Sequence, residues 1–142
     1  MPKGASATVG GSVSADRCDI GQLSDCHRTL QVRLRPEGGQ PLARLGGVWH
    51  AAGVLADSLL ARQAAPAAQR VFIPKVHGAV LVHQAVACCG ALDRVVLFSS
   101  IAAVFYGVAQ ANYAAANGAL DTLSIHRRAR GTHAVSIEWG PW

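Results

Sequence analysis

Residues 92–117 read LDRVVLFSSIAAVFYGVAQANYAAAN, and this stretch decides the fold. Val95 to Phe98 is an apolar, largely β-branched run without alternation, the pattern of a strand buried on both faces in a parallel sheet. The run stops at Ser99 and Ser100. A short connection through Gly107 follows, and then an alanine-rich helix carrying Tyr113 and Asn117 one turn apart on one face. A strand that ends in hydroxyls and returns through a helix places polar groups at the carboxyl edge of a sheet, where open α/β folds bind ligands.

Outward from this stretch, the same grammar repeats. LGGVWHAAG, residues 45–53, reads as a short buried strand running into a turn at Gly53. Residues 66–89 read as a long helix that Pro74 should kink or divide. The helix of residues 110–130 is the strongest in the chain and ends at Gly131. HAVSIEWG, residues 133–140, is a further short strand. Upstream, GSVSADRCDI has the alternation of a short strand ending near Asp16–Ile20, residues 21–34 suit a helix, and residues 35–45 form a Pro/Gly loop. Residues 1–11 are small and polar and are expected to be frayed. Strands alternating with helices make βαβ units and a parallel sheet.

The bulk numbers agree with one domain or part of one. The 142 residues are 51% hydrophobic and 15% charged, enough to bury a core. No apolar run is long enough to span a bilayer, and the start lacks the apolar segment of a signal peptide, so cytosol or an organelle stroma is expected, with no membrane partner. The net charge is +5, and Arg127, Arg128 and Arg130 form the one basic cluster. At a helix end these cations complement the dipole and solvate the surface, and no aromatic platform accompanies them, which argues against nucleic acid. The four cysteines, Cys18, Cys26, Cys88 and Cys89, show no metal or redox spacing and read as buried free thiols. No metal site is expected, since His77 and His83 do not share a helical face.

Ser100 at a strand end and Tyr113 on the returning helix can converge to clamp a carbonyl oxygen. A phenol ordinarily holds its proton to about pH 10, and a nearby ammonium eases its release. Many reductases place that lysine four residues after the tyrosine, where this chain has Asn117. The chain contains two lysines, Lys3 in the small polar start and Lys75 in the helix before the serine strand. Each residue alone also has an ordinary reading: packing for Tyr113, a turn or cap for the serines, a solvated surface group for Lys75. Their combination is harder to obtain by accident.

The run from GGVWHAAGVLADSLL to SIEWGPW resembles the ketoreductase domain of modular polyketide synthases, a branch of the short-chain dehydrogenase/reductase superfamily. The signatures are HAAGVL, PKVHGA, VLFSSIAA, QANYAAANGALD, HRRARG and WGPW, dense over residues 46–142 and weaker over 12–34. That family moves the lysine to the earlier helix and puts asparagine after the tyrosine, and Lys75, Ser100, Tyr113 and Asn117 match it as catalytic residues. The resemblance implies NADPH-dependent reduction of a β-ketoacyl thioester carried on an acyl carrier protein, within polyketide or fatty acid biosynthesis. It further implies adenine contacts from Asp19 and Ile20, a cofactor-binding turn at His50, Ala51, Ala52 and Gly53, and stereocontrol from Asp57 and Phe105. Asp19 reads equally as a surface loop acid, and Asp57 as the cap of a short following helix.

The chain departs from that pattern in two places. No Gly-rich turn of the kind that holds a pyrophosphate precedes Asp19, and the resemblance lacks the family's later lid segment. The fold expected is therefore α/β, an incomplete Rossmann-like parallel sheet with helices on both faces, holding strands equivalent to the family's third to sixth over residues 12–142. The chain alone is expected to hold NADPH weakly and to be inactive, as one segment of a larger synthase. The alternative is a catalytically inactive remnant or scaffold piece.

Overall fold

The computed structural model describes residues 15–34, 45–87, 94–105 and 107–140. The expected frayed start, Lys3, most of the Pro/Gly loop, and Cys88 and Cys89 lie outside the described residues. Three strands form a parallel sheet in the order β1 (Gly47–His50), β2 (Arg94–Ser100), β3 (Val135–Trp139). Val48 lies beside Val95, and Phe98 beside Ile137. Helix α1 (Leu23–Leu34) precedes β1, α2 (Ala65–Phe72) and α3 (Gly78–Ala87) join β1 to β2, and α4 (Ala111–Ala129) joins β2 to β3.

The α/β class read from the sequence holds, and its apolar central strand is β2. Period two sorts its residues: Val95, Leu97 and Ser99 are buried toward the helices, while Val96, Phe98 and Ser100 are half-buried on the other face. Leu97 and Val95 pack with Ala79 of α3, Leu120 of α4 and Ala134. Cys26 of α1 joins Leu81, Val82, Ala85 and Val86 of α3, with Val48 of β1 against them. Among the described residues the helices thus cover one face, where both faces were expected. Strands laid down in sequential order by right-handed crossovers carry every connecting helix on the same side. Trp49 and Val135 stand exposed on the other side.

Pro74 divides the expected long helix. Its missing N–H breaks the α-helical ladder, and residues Ile73–His77 form a wider π-helical turn between α2 and α3. Pro66 sits in the first turn of α2, where its missing N–H costs nothing. Gly131, just past α4, takes φ +74°, the left-handed conformation that glycine adopts without strain.

Two expectations need correction. Residues 15–20 form no strand; the Asp19 carboxylate instead accepts the Gly21 N–H at 2.9 Å in the turn that leads into α1. Short alternation without a neighbouring strand to pair with gives way to local side-chain bonds. Arg127 is not a solvated surface cation: it is 5% exposed and contacts the His83 ring from α3. Among the described residues, no helix is long and apolar enough to cross a membrane.

Candidate functional site

The three strands end together at His50, Ser100 and Trp139, and a cavity of about 370 Å³ opens beyond those ends. Ala51, Gly53, Lys75, Ser100, Tyr113 and Trp139 are among its lining residues. Trp139 stacks on Phe98, ring centroids 5.7 Å apart, and forms one wall.

Lys75 is the group that the sequence leaves most ambiguous. It is 4% exposed, so the surface-lysine reading fails. Its Nζ donates to the Phe98 carbonyl at 3.0 Å and lies 5.3 Å from the centroid of the Tyr113 ring. Positive charge over an aromatic face is attracted by the ring's quadrupole. Burial pushes the Lys75 ammonium below its ordinary pKa, partly offset by the charge of Asp121.

That shift has a sign that can be measured. The folded chain releases the Lys75 proton at lower pH than the unfolded chain, whose lysine keeps its ordinary value of 10.5. Between those two values the unfolded state binds more protons, so stability gains a contribution as pH rises through the window. Urea midpoints followed from neutral pH to about 10.5 should show this alkaline gain in the wild type and lose it in Lys75→Met. An identical pH dependence in both would mean that Lys75 is not buried as a charge.

Both serines are among the cavity's lining residues, and the strand's alternation separates where their side chains bond. Ser99 points to the helix side, 4% exposed, and donates to the Asn117 carbonyl at 3.3 Å. Ser100 faces the cavity, and its Oγ accepts the Ala102 N–H at 3.2 Å, capping the single turn Ile101–Ala103. The cap and the site role coexist, because capping uses a lone pair and leaves the hydroxyl proton to donate. Asn117 does not line the cavity. It is fully buried one turn behind Tyr113, with its Nδ2 on the Tyr113 carbonyl at 2.9 Å and its Oδ1 without a partner among the described residues.

The remaining sites read from the sequence divide. Ala51 and Gly53 line the cavity; Ala52 and the His50 side chain do not. A Cβ on Gly53 would lie 3.5 Å from Lys75 Nζ, an ordinary contact, so the space it would fill belongs to the cavity rather than to packing. The His50 ring turns inward, 4% exposed, with Nε2 2.8 Å from the Lys75 carbonyl oxygen. Asp19 is exposed in its turn, and Ile20 packs against the α1–α3 cluster, both apart from the cavity lining. Asp57 does not cap the short turn Leu60–Arg62, whose cap position is Leu59; it accepts from Gln110 Nε2 at 3.1 Å. Phe105 is 75% exposed.

Two residues that sequence reasoning passed over hold the loop after β1 in place. Gln110 grips Asp57, and the buried Asn112 donates to the Ala56 carbonyl at 2.8 Å. Their signal is faint, two amides at the start of the tyrosine helix.

A family model described as KR domain matches residues 4–142. The chain belongs to the KR domain family. This KR chain is 39% identical over 134 residues to mellein synthase of Phaeosphaeria nodorum, covering 94% of the chain and 7% of that protein. It is 48% identical over 99 residues to a phenolphthiocerol/phthiocerol polyketide synthase of Mycobacterium tuberculosis, covering 70% of the chain and 4% of that protein. Among solved structures, the first ketoreductase of the tylosin PKS superposes with a TM-score of 0.76 at 36% identity, over 88% of the chain and 25% of its own length. A short-chain dehydrogenase from Mycobacterium avium, at 22% identity and a TM-score of 0.78 over 92% of the chain and 48% of its own length, shows the same fold. The KR chain thus spans only part of each of these relatives.

Proposed function

We propose that the cavity is the carbonyl-reducing site of an NADPH-dependent ketoreductase acting on a β-ketoacyl thioester carried by an acyl carrier protein, in a polyketide synthase. The observation that carries this reading is the convergence of Lys75, Ser100 and Tyr113, from three separate segments, on one cavity at the carboxyl ends of the strands. Membership of the KR family and the synthase relatives support the same activity and context. The cytosol, or an organelle stroma, is the compartment that goes with it.

The Ser100 hydroxyl proton is available to a carbonyl oxygen, and Tyr113 is placed to protonate the alkoxide as charge develops on it. The Lys75 ammonium stabilises the phenolate that remains. Asn117, with its buried unpaired Oδ1 behind Tyr113, offers an acceptor for relaying the replacement proton. Ala51 and Gly53, on the turn assigned to the cofactor by the resemblance, would help to hold it, and when bound it supplies the hydride that reduces the carbonyl carbon. The phosphate end has no Gly-rich turn to receive it in this sequence. A second reading is a catalytically inactive chain that retains the site residues.

The test is a reduction assay on the protein that carries this chain and on the chain alone, with NADPH and a β-ketoacyl thioester. The carrying protein should convert them to NADP⁺ and the β-hydroxyacyl thioester in equal amounts. The chain alone should bind NADPH too weakly for a micromolar fluorescence titration. No turnover in either would leave only the second reading.

The loop held by Gln110 also bears on stereochemistry. Leu55-Ala56-Asp57 keeps the final acid of the resembled family's B-type loop, with Leu55 in the cavity lining, and Phe105 stands where tryptophan marks A-type enzymes of that family. The product should be the B-type alcohol on chiral chromatography. A dominant A-type product would reduce Asp57 to a structural partner of Gln110.

A further inference from the structure

The segment around Lys75 reverses the ordinary hydrophobic order. Ile73 is 48% exposed while Lys75, two residues on, is 4% exposed. A regular amphipathic helix would do the opposite. The π-helical turn Ile73–His77 explains how, since one extra residue in the turn rotates the side chains that follow. Such a turn is less favourable than α-helix and persists where its surroundings hold it.

What holds it is visible on β1. The His50 ring lies between the strand end and the turn, and its Nε2 is 2.8 Å from the Lys75 carbonyl oxygen. A carbonyl only accepts, so Nε2 carries the proton. The same oxygen also takes the Gly78 N–H, which reaches back to the Ile73 carbonyl as well. Gly78 lets Ile20, from the segment before α1, seat against the end of the turn: a Cβ there would lie 2.9 Å from Ile20, and 3.4 Å from His50 Cε1. Burial, and then the charge of Lys75, press His50 toward its neutral form, against the opposing effect of the carbonyl bond.

We infer that His50 is a positioning residue: its Nε2–H, fixed to the end of β1, braces the widened turn at the Lys75 carbonyl and so keeps the Lys75 ammonium on Phe98 and the Tyr113 ring. The catalytic meaning of this brace rests on the reductase reading above; the brace itself does not. It differs from a cofactor-binding role for the histidine, because the ring faces the helices and not the cavity.

The chain's two lysines make the test direct. With lysine labelled by ¹³C at Cε, Lys3 and Lys75 give separate NMR titrations, assigned with Lys3→Arg. Lys75 in the wild type should titrate below the ordinary lysine value. In His50→Leu it should move up toward that value, as the turn relaxes and the ammonium reaches water. In His50→Gln, whose side-chain N–H can still meet the carbonyl, it should stay nearer the wild-type position. Should His50→Leu not fold, the wild type alone decides: long-range ¹H–¹⁵N spectra must show His50 protonated at Nε2. An Nδ1–H tautomer, or a folded His50→Leu chain with the wild-type Lys75 titration, overturns the inference. A shifted Lys75 with unchanged β-ketoacyl reduction by the protein that carries this chain would uphold the brace and overturn its catalytic meaning.

Discussion

Tyr113→Phe, in the protein that carries this chain, should lower the rate of β-ketoacyl reduction by about 10²–10⁴-fold, the range for loss of a positioned proton donor. The substitution removes one oxygen and keeps the ring over which Lys75 Nζ sits. Asn117 Nδ2 is bound to the backbone carbonyl at position 113, so that contact survives too. The melting temperature should therefore change little while turnover collapses, and steady-state kinetics beside a thermal melt separates the two. Comparable activity in the variant would mean that another group, or water, protonates the alkoxide.

Leu97→Ala carries the largest expected cost in stability. Leu97 is 1% exposed in the middle of the central strand, held by Ala79 and Leu120 from the two helices above it. Removing its outer carbons from such a place costs about 2–5 kcal/mol, because neighbours on a sheet and two helices cannot all collapse into the gap. Domains of this size have about 5–15 kcal/mol in hand. Urea unfolding should show a large fall in midpoint with the slope nearly unchanged. Val135→Ala, on the exposed face at 53% exposure, is the control and should cost well under about 1 kcal/mol. A small loss at Leu97 would show that the helices do not close over β2 as described.

Much of this arrangement is legible along the chain, and the limits are physical. Local grammar is sufficient where the determinant is local: Pro74 divides its helix because it lacks an N–H, and the end of α4 follows from Gly131. Ser100 also yields to period two, once the strand's register is known. Residues whose role lies in a distant partner do not yield. His50 meets the carbonyl of Lys75, and Asp57 meets Gln110 across the sheet edge; neither contact leaves a pattern along the chain. Residues 15–20 mislead for the converse reason: alternation proposes a strand, but only a neighbouring strand makes one, and Asp19 has a nearer bond to make. The expectation of helices on both faces belongs to the family's whole sheet, not to three consecutive strands.

The coincidence of spatial order with chain order, β1 then β2 then β3, has a consequence for biosynthesis. Each strand finds its neighbour already made, so the chain can assemble in the direction in which it leaves the ribosome. The β1–α3 unit can close before Tyr113 has been translated, and its turn around Lys75 is then in place to receive the tyrosine helix. Parallel pairing is ordinarily slow because it must wait for distant segments. Here the wait is only as long as one crossover, and a pause in translation after β2 would leave the outer edge of β2 unpaired only until β3 arrives.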